Sequence, residues 1–140
     1  MTTPRTDRKS WEMTHAEWRE IAVRYDVHKR EPTPPEEYEE ALIKLLGDLP
    51  ESPRRGITAT EASALLGLRE VVPGGSFDDF RSHRASYFIS DDVKKAFTAR
   101  CQKLVKNGTI APFGEATNGP RVCRRLTHKG ERRLASLLGE

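Results

Sequence analysis

Between Lys94 and Arg133, eleven Lys and Arg side chains stand against two carboxylates, Glu115 and Glu131. Five of them, Lys94, Lys95, Arg100, Lys103 and Lys106, crowd into one short stretch, and Arg121, Arg124, Arg125, Lys129, Arg132 and Arg133 follow. This is the chemistry of polyanion binding, because each ammonium or guanidinium that meets a phosphate releases condensed counterions. The charge is unevenly placed along the chain. Residues 1–55 carry ten basic and twelve acidic groups, whereas residues 56–140 carry fourteen and nine, within a formal net charge of +3. Such asymmetry points to one face that meets a polyanion.

Covalent chemistry has no comparable set of residues. No nucleophile, base and orienting group can be assembled, and the adjacent acids Glu39 and Glu40, or Asp78 and Asp79, would point different ways on a helix. The chain is therefore not expected to be an enzyme. His15, His28, His83 and His128 lack ligand spacing, and Cys101 and Cys123 form no CxxC pair, so neither metal nor cofactor is expected. The two cysteines read as small buried apolar residues in a reducing compartment. With neither a membrane-length apolar run nor a signal-peptide pattern in the sequence, a cytoplasmic location away from membranes is expected.

The elements that must position the basic residues are marked by their caps. Ser90 is a good N-cap, with Asp91 and Asp92 in the first turn where the helix dipole favours negative charge. At about 100° per residue, Val93, Ala96, Phe97, Cys101, Leu104 and Val105 turn inward. Lys95, Thr98, Ala99, Gln102 and Lys106 then face outward, with Lys94 and Lys103 on the flanks. Asn107-Gly108 supplies a left-handed stop, and Thr109 to Phe113 reads as a short strand. Gly114 to Pro120 is a polar turn, Arg121 to Leu126 a returning strand, and Thr127 caps a last helix that turns Leu134, Leu137 and Leu138 inward.

Upstream, Thr14-His-Ala-Glu17, Thr33-Pro-Pro-Glu36 and Thr58-Ala-Thr-Glu61 each have the form of a capping box. The first opens a helix with Trp18, Ile21, Ala22 and Tyr25 on one side. The second opens the most regular helix of the chain, with Tyr38, Leu42, Leu45, Leu46 and Leu49 in step. The third, ending in Leu66-Gly-Leu, looks like the first helix of a helix-turn-helix. Arg69 to Ile89 is an aromatic insertion with a turn at Pro73-Gly-Gly75 and a capping residue at Ser76. The fold class is thus mainly α with a small antiparallel β-hairpin, an α+β chain large enough at 140 residues to bury a core without staples.

Two phrases in this order resemble the winged helix-turn-helix domains of bacterial and archaeal MarR-like and PadR-like transcription regulators. They are Leu104-Val105-Lys106-Asn107-Gly108-Thr109-Ile110 and Leu126-Thr127-His128-Lys129-Gly130. In those families the first phrase ends a recognition helix, and the second closes the wing and opens a helix. Composition and caps divide the chain into a polar disordered arm over 1–13 and an amphipathic helix and linker over 14–32, and the resemblance implies a winged helix-turn-helix over 33–140, departing from the family in the insertion at about 69–89. It further implies that Lys94, Lys95, Thr98, Ala99, Gln102 and Lys106 face the major groove. Thr117, Asn118 and Arg121 would lie at the wing tip, and Arg124 and Arg125 would meet phosphates.

The partner expected on these grounds is double-stranded DNA, bound by a homodimer that regulates transcription through operator occupancy. Trp11, Trp18, Ile21 and Tyr25 form the candidate dimer surface, the other reading being that this helix packs back on its own domain. The alternative function is that of a protein-interaction module or non-catalytic subunit, docking a protein partner through the aromatic insertion or the Trp helix.

Overall fold

The helices begin where a hydroxyl side chain can satisfy otherwise orphaned backbone N–H groups. In a computed structural model that describes residues 11–50, 55–112 and 123–139, Thr14 and Thr58 close reciprocal capping boxes with Glu17 and Glu61. They open α1 (His15–Arg24) and α3 (Ala59–Leu65). Ser90 accepts from the Val93 N–H to start α4 (Asp91–Lys106), and Thr127 accepts from the Gly130 N–H to start α5 (His128–Leu137). The Thr33 box does not form. Its hydroxyl is buried and donates to the Leu66 carbonyl at 2.8 Å, so the chain enters α2 (Tyr38–Gly47) through a 3-10 turn at Pro35–Glu37 instead.

The architecture is α+β, with five α-helices and two small antiparallel strand pairs among the described residues. The pair expected from sequence is β3 (Ile110–Pro112) with β4 (Arg124–Leu126), in the register Ile110 opposite Leu126. Ile57, just before α3, adds an antiparallel bridge to Arg124. The second pair lies in the insertion, where β1 (Arg69–Val71) pairs with β2 (Ser86–Phe88) around a 3-10 helix at Phe77–Arg81. Sequence reasoning anticipated one hairpin. Strands of three residues are too short to show a period of two, so the insertion hid the other.

The helices share one apolar core. Trp18 and Ile21 of α1, Leu42, Ile43 and Leu45 of α2, Leu65 of α3, Phe97 and Leu104 of α4 and Leu126 of β4 belong to the same buried cluster. The expected polar arm over residues 1–13 ends earlier than that. Met13 is fully buried, and Glu12 bridges in parallel to Gly56; residues 1–10 of the expected arm lie outside the described residues.

The insertion is fastened to α1 and α3 by polar contacts. The Trp18 indole N–H donates to the Phe77 carbonyl at 2.8 Å. The Arg81 guanidinium pairs with the Glu61 carboxylate and donates to the Met13 carbonyl, and its carbon lies 5.9 Å from the Trp18 ring centre. Glu61 is itself 4% exposed at its side chain. One guanidinium therefore joins the insertion, α3 and the segment that leads into α1.

At the other end of the molecule, the two sequence phrases meet. Gly108 takes φ +80°, the left-handed conformation expected of a helix stop. Thr127 receives the chain that follows: its hydroxyl lies within reach of the Gly108 and Thr109 carbonyls, and its N–H donates to Thr109 O at 3.1 Å. A Cβ on Gly130 would lie 2.2 Å from the Thr109 carbonyl oxygen, so only glycine lets α5 start this close to β3. On α5, Leu134 and Leu137 pack against the core but Leu138 is 57% exposed and does not turn inward as expected.

Candidate nucleic-acid interface

Helix α4 rests on the core through Phe97, which meets the Tyr38 ring edge-on at 5.9 Å, and through Leu104. Val93, Ala96 and Cys101 are partly buried beside them. Val105, expected inward, is 38% exposed and marks the edge of the solvent face. The six residues assigned to the groove on this helix, Lys94, Lys95, Thr98, Ala99, Gln102 and Lys106, are all exposed. At 100° per residue Lys95, Ala99, Gln102 and Lys106 form the outer arc, and Lys94 and Thr98 lie on the flank toward the insertion.

Charge divides this helix into two halves. On the flank toward α2, the largely buried Glu39 carboxylate takes Arg100 at 3.1 Å, Lys103 at 3.2 Å and Arg133 of α5 at 3.4 Å. Burial works to raise the Glu39 pKa, but hydrogen bonds and charge from Lys103 and then Arg133 outweigh it, and the carboxyl is held below its ordinary 4.5. The clamp is thus intact near neutral pH. Its contribution is lost only as acid protonates Glu39 below that ordinary value. On the outer arc and the opposite flank, Lys94, Lys95 and Lys106 make no ion pair with any of the described residues. Helix α5 adds Lys129, whose ammonium donates to the Asn107 carbonyl at 2.6 Å.

The remaining expected contacts are placed less openly. Arg124 and Arg125 sit on β4, half-buried, and Arg125 donates to the Leu126 carbonyl at 3.3 Å. Thr117, Asn118 and Arg121, expected at a wing tip, lie outside the described residues. Cys101 and Cys123 are free thiols, pushed up to about 11 and about 12 by burial, so both stay protonated at neutral pH.

The candidate dimer surface is corrected by the packing. Trp18 is 0% exposed and Ile21 is buried beside it, so both serve the chain's own core. Tyr25 is half-buried with its hydroxyl on the Asp48 carboxylate, and Trp11 is half-buried where its carbonyl accepts from the Gly56 N–H at 2.7 Å. An amphipathic helix reads identically whether its apolar side meets its own domain or a partner. Here it is its own domain.

Two features of the interface escaped the sequence. The Glu39 clamp joins residues 61, 64 and 94 positions apart, and only the i, i+3 spacing of Arg100 and Lys103 on one flank hinted at it. The insertion, for its part, forms a wall beside α4. Phe80 is buried, Phe77 meets His28 at 4.4 Å, and Phe88 carries the Arg69 guanidinium at 4.3 Å, which leaves Tyr87 as its exposed ring. Against models of known protein families, curated proteins and solved structures, the chain matches none. No helix among the described residues is long and apolar enough to cross a membrane.

Proposed function

We propose that this chain is a winged helix-turn-helix protein, of the MarR-like or PadR-like kind, that binds double-stranded DNA and regulates transcription by occupying an operator. The observation that carries the reading is the outer arc of α4, where unpaired lysines flank Gln102 and the small Ala99. Lysines free of carboxylates can neutralise phosphates, and Gln102 can hydrogen-bond an adenine edge. The order of elements supports the same reading. Helices α2, α3 and α4 followed by β3 and β4 have the sequence of a three-helix unit and its wing, and the Ile57 bridge to Arg124 gives the wing strand β4 a second neighbour.

In this reading α4 enters the major groove and β3–β4 approaches the flanking backbone. Two copies one DNA turn apart would multiply specificity, so two-fold binding belongs to the proposal. Trp18 and Ile21 cannot supply that contact. The Asp91 and Asp92 carboxylates at the start of α4 keep phosphate away from its N-terminus, which turns the contact toward the middle and end of the helix.

The test is fluorescence anisotropy of a labelled duplex across a salt series. With Lys94, Lys95 and Lys106 as the phosphate contacts, the log–log slope of affinity against salt should be about −3. Glu39→Gln releases up to three more cations, and its slope should steepen toward about −5, while thermal stability falls by about 1–2 kcal/mol. A chain with no duplex binding at low salt would overturn the proposal.

A further inference from the structure

Beside the outer arc of α4 runs a cavity of about 770 Å³. One wall is the flank of α4 from Asp91 to Lys106, and the other is the insertion strand β2 with the start of α3. Pro112 and Arg124 close it toward β3 and β4. The sixteen residues of α4 span about 22 Å along it. The space forms a trough along the helix.

Its lining combines charge with flat apolar surface. Arg69, Lys94, Lys106 and Arg124 line it together with Asp91. The Arg69 guanidinium is held by Ser63 and Ser86 at 2.7 and 2.8 Å, and although burial lowers its pKa to about 10 it is charged at neutral pH. It acts as a fixed positive field at the floor. Lys94 and Lys106, by contrast, are exposed and able to move to a ligand. The α4 wall adds Val105, 38% exposed, over the buried Phe97, and the β2 wall adds Phe88 beneath the Arg69 guanidinium and Tyr87, whose ring is the exposed one at 56%.

From this juxtaposition we infer that the trough binds a segment of single-stranded nucleic acid. A charged groove that tracks a backbone, interrupted by aromatic faces on which bases stack, is how single strands are held without sequence readout. Lys94 and Lys106 are about 18 Å apart along the helix, the span of about five stacked nucleotides. An acidic peptide would satisfy the cations but would leave the ring of Tyr87 without a stacking partner. Lys94, Gln102 and Lys106 line the trough as well as the proposed duplex surface, whereas Lys95 and Ala99 of the outer arc do not line it, so Lys95 separates the two uses.

The probe is a fluorescein-labelled oligothymidylate of eight nucleotides, which cannot pair with itself, titrated with the full chain. Saturable binding is expected, weakened about tenfold by Tyr87→Ala and by Val105→Glu. Both residues are exposed, so neither change threatens the core, and Val23→Glu on the exposed side of α1 controls for charge alone. Lys95→Glu should weaken duplex binding while changing oligothymidylate affinity less than about threefold. That contrast separates failure of one site from failure of the other. The inference is overturned if oligothymidylate does not bind, if Tyr87→Ala and Val105→Glu bind it as the parent does, or if a Glu-rich peptide of equal charge displaces it equally well.

Discussion

Replacing Lys95 and Lys106 together by glutamate is expected to weaken duplex binding about 100-fold at moderate salt. Each lysine that meets a phosphate makes a charge-assisted contact, and its reversal replaces attraction with repulsion at a cost of about tenfold. The two sites are eleven residues, or about 16 Å, apart along α4, so their effects should add. Neither side chain has an ion pair to lose within the described residues, and both are exposed. The thermal midpoint should therefore stay where it is. Reversal of Arg100 and Lys103 makes the useful contrast, because those cations already answer to Glu39; it should disturb stability first and duplex binding less. Anisotropy and circular dichroism on the same samples separate the two cases, and equal losses of affinity from both pairs would mean that the division of α4 into clamped and free halves is wrong.

The largest expected effect on stability comes from Arg81→Ala. The Glu61 carboxylate is nearly sealed from water, and among the described residues it is reached, besides Arg81, by the backbone N–H and hydroxyl of Thr58 at 3.0 and 3.1 Å. Removing the guanidinium leaves a buried charge without its counter-ion, a change that costs about 3–5 kcal/mol. It also strips a donor from the Met13 carbonyl and a cation from the face of Trp18. For a chain of this size such a loss lowers the melting midpoint by about 8–15 °C. Adding Glu61→Gln to Arg81→Ala should restore part of it, because a neutral amide in the same place carries no unpaired charge. Urea denaturation of the parent and the two variants decides the matter: an Arg81→Ala cost under about 1 kcal/mol would show that the insertion is held without the Arg81–Glu61 pair.

Local chemistry was legible in the residues and long-range chemistry was not. Thr14, Thr58, Ser90 and Thr127 announced four helix starts because a cap is settled within three residues of itself. Thr33 carried the same signal and failed, since a carbonyl 33 positions away captured its hydroxyl. The inward side of α4 could be marked out to within one residue, Val105, because a long helix averages its period over four turns. By contrast the pairing of Arg69 with Phe88, and of Arg81 with Glu61, depends on segments 19 and 20 positions apart brought together by the fold. Trp18 showed the same limit from the apolar side: its spacing told that it would be covered, not by what. The charge count had a matching blind spot. It treated eleven cations as equivalent, when one carboxylate from the acid-rich helix α2 holds three of them.

That clamp gives the interface its direction. By occupying Arg100, Lys103 and Arg133, Glu39 ties α2, α4 and α5 together and leaves positive charge concentrated on the outer arc and the insertion flank. On the proposed reading the outer arc meets a duplex, and the flank lines the trough. Both uses depend on the same rigid seating of α4 by Phe97 and Leu104.

The central claim, that the unpaired outer arc of α4 is the nucleic-acid interface, is tested most directly by amide chemical-shift mapping of the isotope-labelled chain as a short duplex is added. The largest shifts should cluster on Lys95, Ala99, Gln102 and Lys106, with smaller ones on β4 and almost none on α1. Shifts centred on α1 or on the Phe77–Arg81 helix, with the α4 outer arc unmoved, would contradict it.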